Sequence, residues 1–184
     1  MKPLDRLLAA WRGAKARRYI GRGVRLLDVG CGNGRFLKRL SSVLSEGIGI
    51  DPDVNPADAC AGIRLIRGSF PEACPDNLGP FDVITMLAFL EHLPTSLHAR
   101  LAERCAALLR PGGLLILTVP EPAVDRIAHV LQRIPWLYDG THTEQHYGFQ
   151  PSQTPAIFSV LELVMAGKFQ LGLNNLFVFR RPRA

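Results

Sequence analysis

The chain alternates between short apolar runs and stretches whose apolar residues recur every three or four positions. "VRLLDVG" (24–30) is apolar on successive positions, the pattern of a strand buried on both faces, and "RFLKRLSSVL" (35–44) has amphipathic-helix spacing. Further strands are expected at "GIGID" (47–51), "IRLIRGSF" (63–70), "FDVITML" (81–87) and "LLILTVP" (114–120). Residues 94–110 read as a helix opened by Pro94, with Leu97, Leu101, Ala102, Cys105, Leu108 and Leu109 on one face and "RPGG" after it. Strands apolar on both faces and separated by helices imply a parallel sheet covered on both sides, an α/β fold. The link from the second strand to the third, Pro52 to Gly62, is near the minimum for a parallel crossover and contains two prolines. A short or irregular helix is expected there.

The C-terminal third changes character. Residues 122–138 suggest an amphipathic helix, and the polar "DGTHTEQHYGFQPSQ" after it a loop. "TPAIFSVLELVMAG" (154–167) predicts a helix with Thr154 as N-cap, Pro155 in its first turn and Gly167 as its stop. "KFQLGL" and "LFVFRR" then predict a closing antiparallel hairpin turning at Asn174–Asn175.

Composition narrows the class. With 184 residues, 47% apolar and 21% charged, the chain has the makings of one globular domain. Cys31, Cys60, Cys74 and Cys105 form no CxxC pair, which argues against a disulfide framework or structural zinc and favours a reducing cytoplasm. No run approaches the roughly 18 apolar residues of a membrane span, and no secretory signal is evident. The net charge is +6, and residues 11–25 hold six basic residues in fifteen. That stretch suits nucleic acid or an anionic membrane, so peripheral membrane contact stays open. The favoured reading is the solvated face of an N-terminal helix whose apolar stripe is Leu4, Leu7, Leu8 and Trp11.

Candidate chemistry is concentrated in "LLDVGCGNGRFL" (26–37). Gly30, Gly32 and Gly34 have GxGxG spacing, and Arg35 stands where a GxGxxG dinucleotide fingerprint needs its third glycine. An anionic pyrophosphate would also sit poorly beside Asp28. Asp51, ending the second strand, has the position from which ribose hydroxyls are held in doubly wound folds. Two acids without a phosphate fingerprint ask for a nucleoside with a positive end, and S-adenosylmethionine has that chemistry.

"LLDVGCGNGRFL", "GIGIDPD", "FDVITMLAFLEHL" and "LLRPGGLLILTVP" occur here in the order in which they occur in class I S-adenosylmethionine-dependent methyltransferases. Over about residues 22–120 the chain resembles that family, especially its small-molecule branch related to the quinone-biosynthesis methylases. The resemblance implies a doubly wound, mostly parallel seven-stranded sheet with an antiparallel C-terminal strand. It also implies one domain: an N-terminal helix (1–21), a cofactor core (22–120), a substrate lid (121–150) and a closing helix and hairpin (151–184). By resemblance Asp28 would help orient the methionyl ammonium, and Gly30, Cys31 and Gly32 would carry backbone past the methionyl group. Asp51 would accept from both ribose hydroxyls, with Pro52 against the adenine and Ser69 and Phe70 along its edge. Many relatives have an aspartate in place of Ser69. Leu87 would offer its carbonyl to the ammonium. Asp82 is expected to support the strand rather than touch ligand.

The methyl acceptor is less legible. A base is needed only for a protonated nucleophile, and the candidates are His92, beside Glu91 in "LEHL", then His142 and His146. Asp139, His142, Glu144 and His146 could form a metal cluster, but Gly140 and Gly148 favour a loop, and no metal is expected. "MLAFLEHL" is unlike the "NPPY"-type stretch of base-methylating enzymes and lacks a nucleophilic cysteine, so a small molecule with a hydroxyl or activated carbon is favoured over nucleic acid. Trp136, Tyr138 and Phe149 suggest an apolar or aromatic acceptor. The alternatives are an S-adenosylmethionine-binding regulator or scaffold without turnover, a nucleic-acid methyltransferase, and, more remotely, a nicotinamide oxidoreductase.

Overall fold

The computed structural model describes residues 3–124 and 149–183. Expectations for the helix at 122–138, the lid, Trp136, Tyr138, Asp139, His142, Glu144 and His146 therefore lie largely or wholly outside the described residues. The described chain builds one seven-stranded sheet in the order β3-β2-β1-β4-β5-β7-β6. The strands are β1 (Val24–Val29), β2 (Leu44–Asp51), β3 (Ile63–Arg67), β4 (Phe81–Leu87), β5 (Leu109–Pro120), β6 (Glu162–Phe169) and β7 (Asn174–Arg180). β1 lies parallel to both β2 and β4, and β3 and β5 extend the parallel set. β7 runs antiparallel to β5 and to β6. The expected doubly wound, mostly parallel sheet with an antiparallel C-terminal strand is thus the observed one.

The double apolarity of the strands follows from packing on both faces. Leu27, Ile84, Leu115 and Leu117 meet Leu101, Ala102, Cys105 and Leu108 of α3 (His98–Leu108) on one face. Leu26, Val83, Ile116 and Val178 meet Leu37 and Leu40 of α2 (Arg35–Leu40), with Ala16 of α1 (Pro3–Arg17) and Ile20 just beyond it, on the other. Residues adjacent in a strand serve opposite layers, so neither face tolerates a charge. The short crossover contains only the 3₁₀ turn Pro56–Asp58, capped by Asn55, whose side chain accepts from Ala57 N.

Several boundaries differ from those expected, among them the start of the helix over 94–110, where Thr95–Leu97 is a 3₁₀ turn and α3 begins only at His98. α2 stops at Leu40, because Leu44 already belongs to β2. The third strand ends at Arg67 rather than at residue 70, and β5 begins at Leu109, its register slipping across "RPGG". The helix expected over 154–167 shrinks to α4 (Thr154–Ile157), with Gln153 rather than Thr154 as its cap, and Glu162–Phe169 is a strand. Six of β7's seven residues are buried, and its free backbone edge must be paired. β6 supplies that pairing, which overrides local helical spacing. The hairpin turns through Gln170–Leu173, not at Asn174–Asn175. Both asparagines are instead buried at the start of β7, where Asn175 Nδ2 donates to Val119 O (3.3 Å) and Glu121 Oε1 (3.0 Å).

The N-terminal helix also packs by a different face. Gly13, Ala16 and, past the helix end, Ile20 are its buried positions, because a Cβ on Gly13 would stand 2.9 Å from Phe36 Cδ2. Leu7 and Trp11, half of the expected stripe, are 63% and 42% exposed.

Asp82 lies at the amino ends of the strands. Its Oδ2 accepts from Arg25 N at 2.7 Å and its Oδ1 pairs with Arg110 Nε at 2.6 Å. The ion pair is exposed and weak, but the backbone bond joins β1 to β4. Asp82→Ala should therefore cost about 1–2 kcal/mol, read as a lower urea midpoint at unchanged m-value.

Candidate active site

The carboxyl ends of β1 and β2 meet at the glycine turn. Gly30 N and Cys31 N both donate to Ile50 O, at 2.9 and 3.3 Å, so main-chain bonds hold the turn to the end of β2. Gly30 has φ 70°, and a Cβ there would come 2.5 Å from Phe89 Cδ2. Two constraints thus require glycine: the left-handed backbone and the ring that follows β4. Gly32 has φ 53° but nothing within 4 Å of where its Cβ would be. It opens onto the crevice, leaving room for a ligand to approach the main chain. Asn33 Oδ1 accepts from Arg35 N at 3.3 Å and starts α2.

Two carboxylates frame the turn. Asp51 is half-buried: Oδ2 accepts from Gly32 N at 2.8 Å and Oδ1 from Asp53 N at 2.9 Å. Each oxygen keeps lone-pair capacity for a further donor. Asp28 is 3% exposed, and its Oδ1 accepts from Thr85 Oγ1 at 2.6 Å across the β1–β4 pairing. Burial pushes its carboxyl up to about 7, and the Asp51 charge adds to the rise while the Thr85 hydroxyl opposes it. Thr85 is a site residue that sequence reasoning missed. A lone hydroxyl in an apolar strand is visible in "FDVITML", but only the register shows that it faces Asp28.

Cys31 is a scaffold group. Its thiol is pushed up by burial and the two nearby acids, and Gly49 lacks a Cβ where one would fall 2.6 Å from its Sγ. A protonated, packed thiol is no nucleophile. Phe70 has its side chain in the apolar core, 3% exposed, so only its main chain and the exposed Ser69 face outward. Pro52 is exposed beside Asp51.

After β4 the chain turns sharply. Leu87 is half-buried, and Ala88 takes φ 57°, its N donating to Thr118 O (2.9 Å) and Thr118 Oγ1 (3.1 Å). This strained corner aims the 3₁₀ turn Leu90–His92 at the same edge of the sheet. Glu91 is buried, and its Oε1 lies 3.9 Å from His92 Nε2. His98, also unforeseen, anchors this segment: its Nε2 meets Leu93 O at 3.2 Å, and its ring stands edge-on to Phe149, 5.6 Å between centroids. Burial lowers its pKa, which favours the neutral ring. His98 thus ties the post-β4 turn to the point where the chain returns at residue 149. The candidate bases His142 and His146 lie outside the described residues. Among those described, no three His, Cys, Asp or Glu side chains form a metal-binding group. A surface hollow between Glu72, Asp76, Arg100 and Arg104 lies apart from the crevice, its charges already paired as Arg100–Glu72 and Arg104–Asp76.

Comparison with known proteins sets this geometry in a family. Residues 2–154 match the family model described as "Methyltransferase domain". A ubiquinone biosynthesis O-methyltransferase of Colwellia psychrerythraea is 27% identical over 145 residues, 71% of this chain and 56% of that protein. One from Xanthomonas campestris pv. campestris is 29% identical over 176 residues, 88% of this chain and 72% of that protein. The chain thus spans little more than half the length of the first and under three quarters of the second. Among solved structures, the N-methyltransferase NodS of Bradyrhizobium japonicum WM9 superposes with a TM-score of 0.68 at 17% identity, covering 98% of each chain. The fold is shared at an identity too low to carry an activity. The family match takes in the glycine turn, both carboxylates and the post-β4 turn together, and on it the chain belongs to the class I methyltransferase family.

Proposed function

We propose that this protein transfers a methyl group from S-adenosylmethionine to a small-molecule acceptor bearing a hydroxyl or an activated carbon. The observation that carries the reading is the Asp51 carboxylate, fixed by Gly32 N and Asp53 N beside an open, left-handed Gly32. That arrangement suits a vicinal diol at the end of β2 and a ligand lying against main chain. A buried acid under the turn, Asp28, suits a ligand with a cationic end and disfavours a pyrophosphate. The names of the curated relatives support an oxygen acceptor.

When bound, S-adenosylmethionine supplies a methyl group on a positively charged sulfur, which reacts by in-line displacement. The residues' task is then positioning and exclusion of water more than acid catalysis. Asp51 fixes the nucleoside end, the Gly30–Gly32 main chain bounds the amino-acid end, and Leu87 offers a carbonyl there. Ser69, Pro52 and the Phe70 main chain border the base. For a hydroxyl acceptor His92 takes the proton, with Glu91 holding the imidazole; His142 and His146 are the next candidates. Trp136 and Tyr138 favour an apolar or aromatic acceptor; Phe149, the third aromatic expected there, is instead buried in the core against His98.

Calorimetry should show binding of S-adenosylmethionine or S-adenosylhomocysteine and none of NAD. Asp51→Ala should weaken S-adenosylhomocysteine by about 1.5–3 kcal/mol, the cost of losing a charged acceptor for two buried hydroxyls. Unchanged affinity would reduce Asp51 to a turn residue.

Asp28 gives a pH signature. Its folded value, about 7, stands above the unfolded 3.8, so its contribution to stability is complete below 3.8 and is lost as pH rises through about 7. A cationic ligand stabilises the ionised form, so affinity should fall as pH drops below about 7. In Asp28→Asn both dependences should flatten, measured by thermal melting and by titration between pH 5 and 8. A wild-type affinity independent of pH would remove Asp28 from the ligand site.

His92→Ala should lower turnover of a hydroxyl-bearing acceptor about 10²–10⁴-fold with cofactor affinity intact, and the pH–rate profile should lose its ionisation near neutrality. A small loss with the profile unchanged would leave His92 as a wall of the pocket.

A further inference from the structure

S-adenosylmethionine carries two cationic groups of different chemistry, and Asp28 and the Leu87 carbonyl answer only one of them. The ammonium donates hydrogen bonds and suits oxygen acceptors. The sulfonium has no N–H or O–H to donate, and an ionised oxygen beside it would compete with the acceptor for the methyl group. An aromatic ring attracts a desolvated cation through its quadrupole and offers the methyl no lone pair. Covalent connectivity then says where such a ring is needed. With the ribose at Asp51, ending β2, and the ammonium near Leu87, ending β4, the sulfur between them lies over the end of β1, the strand between those two. That place is the Gly30 turn.

Phe89 borders that turn from the β4 side. A Cβ on Gly30 would stand 2.5 Å from its Cδ2 and 3.1 Å from its Cγ, so the side chain lies directly against the glycine main chain. It packs on the α3-side core yet stays half-buried, unlike Leu90, the next residue, which fills the same core at 1% exposure. Bringing it there costs backbone strain, because Ala88 is held at φ 57° by its N–H on Thr118 O and Oγ1. A left-handed alanine before the side chain and a left-handed glycine beneath it fix its place, and burial in a core asks for neither. Phe70 and Phe149, two other rings of this region, are committed elsewhere: one is 3% exposed within the core and the other stands edge-on to His98.

We propose that the Phe89 ring holds the sulfonium of S-adenosylmethionine and so gives the charged methyl donor an affinity that its neutral product does not share. The inference deepens the proposed methyl transfer and rests on S-adenosylmethionine being the donor. Transfer of the methyl group neutralises the sulfur, and the attraction of the ring for a cation ends with it. Asp28 and Asp51 also favour a cation by their charge. Their preference does not depend on residue 89, so the two contributions separate in a variant that keeps both carboxylates.

The test is calorimetric titration of the full chain with S-adenosylmethionine and with S-adenosylhomocysteine, at one pH and one salt concentration, for the wild type, Phe89→Leu and Phe89→Tyr. Leucine keeps apolar bulk against Gly30 but has no quadrupole, whereas tyrosine keeps the ring. Phe89→Leu should shift the ratio of the two dissociation constants about three- to tenfold against the charged donor. Phe89→Tyr should leave that ratio as in the wild type. If the leucine variant melts below the titration temperature, Phe89→Met takes its place with the same expectation. Equal weakening of both ligands would make Phe89 a prop for the Gly30 turn, and unchanged binding of both would take it out of the site. Either result overturns the proposal and leaves the donor reading standing. A wild type that binds neither sulfur compound would sink the donor reading, and the role of Phe89 with it.

Discussion

A carboxyl group held by one hydroxyl, Asp28 on Thr85, sits in the middle of the sheet between β1 and β4. This is where strand order reverses, since β2 and β3 lie to one side of β1 and β4 and β5 to the other. At such a switch point the connections leave in opposite directions and a crevice opens above the strand ends. Burying an acid there is costly unless it is bonded and able to stay neutral, and both conditions hold at Asp28. The price of that burial is a group poised near neutrality at the floor of the crevice.

Everything above that floor is set by register. Because Val29 pairs with Ile50, the two N–H groups after β1 reach the Ile50 carbonyl, and Asp51, one residue further on, meets Gly32 N. A one-residue slip would turn Asp28 to the opposite face, among the apolar residues packed on α3, and carry Asp51 away from the turn. The ring of Phe89 then closes on Gly30 from the β4 side, so three strand ends define one turn. Helices contribute little to this geometry directly; they keep the sheet dry on both faces and so hold the register.

The same edge gathers the remaining functional surface. The strained Ala88 corner places Glu91 and His92 there, and His98 joins that segment to Phe149. The β6–β7 turn and the first turns of α1 arrive from the other end. Asp82, by contrast, works at the amino edge, where its bond to Arg25 N is a matter of stability. Division of labour between the two edges follows from parallel pairing, which sends every βα loop to one side.

By itself the sequence determined the alternation of doubly apolar strands and helices, and hence the parallel sheet, because a strand covered on both faces cannot alternate polar residues. It also marked the glycine turn and the acids that end β1 and β2, since left-handed backbone and a strand-terminal acid are local facts. Tertiary structure alone decided what depended on partners across the fold. Glu162–Phe169 became a strand because β7 had an edge to satisfy, and Asn174 and Asn175 moved from turn to strand because Gln170 and Val119 bind them. Thr85 entered the site only through its register with Asp28. The Leu4–Trp11 spacing correctly signalled a helix, but which face it buried was settled by the close fit of Gly13 against Phe36, and that fit left Leu7 and Trp11 to the solvent. Spacing along a chain fixes which residues share a face; only the neighbouring elements fix which face is covered.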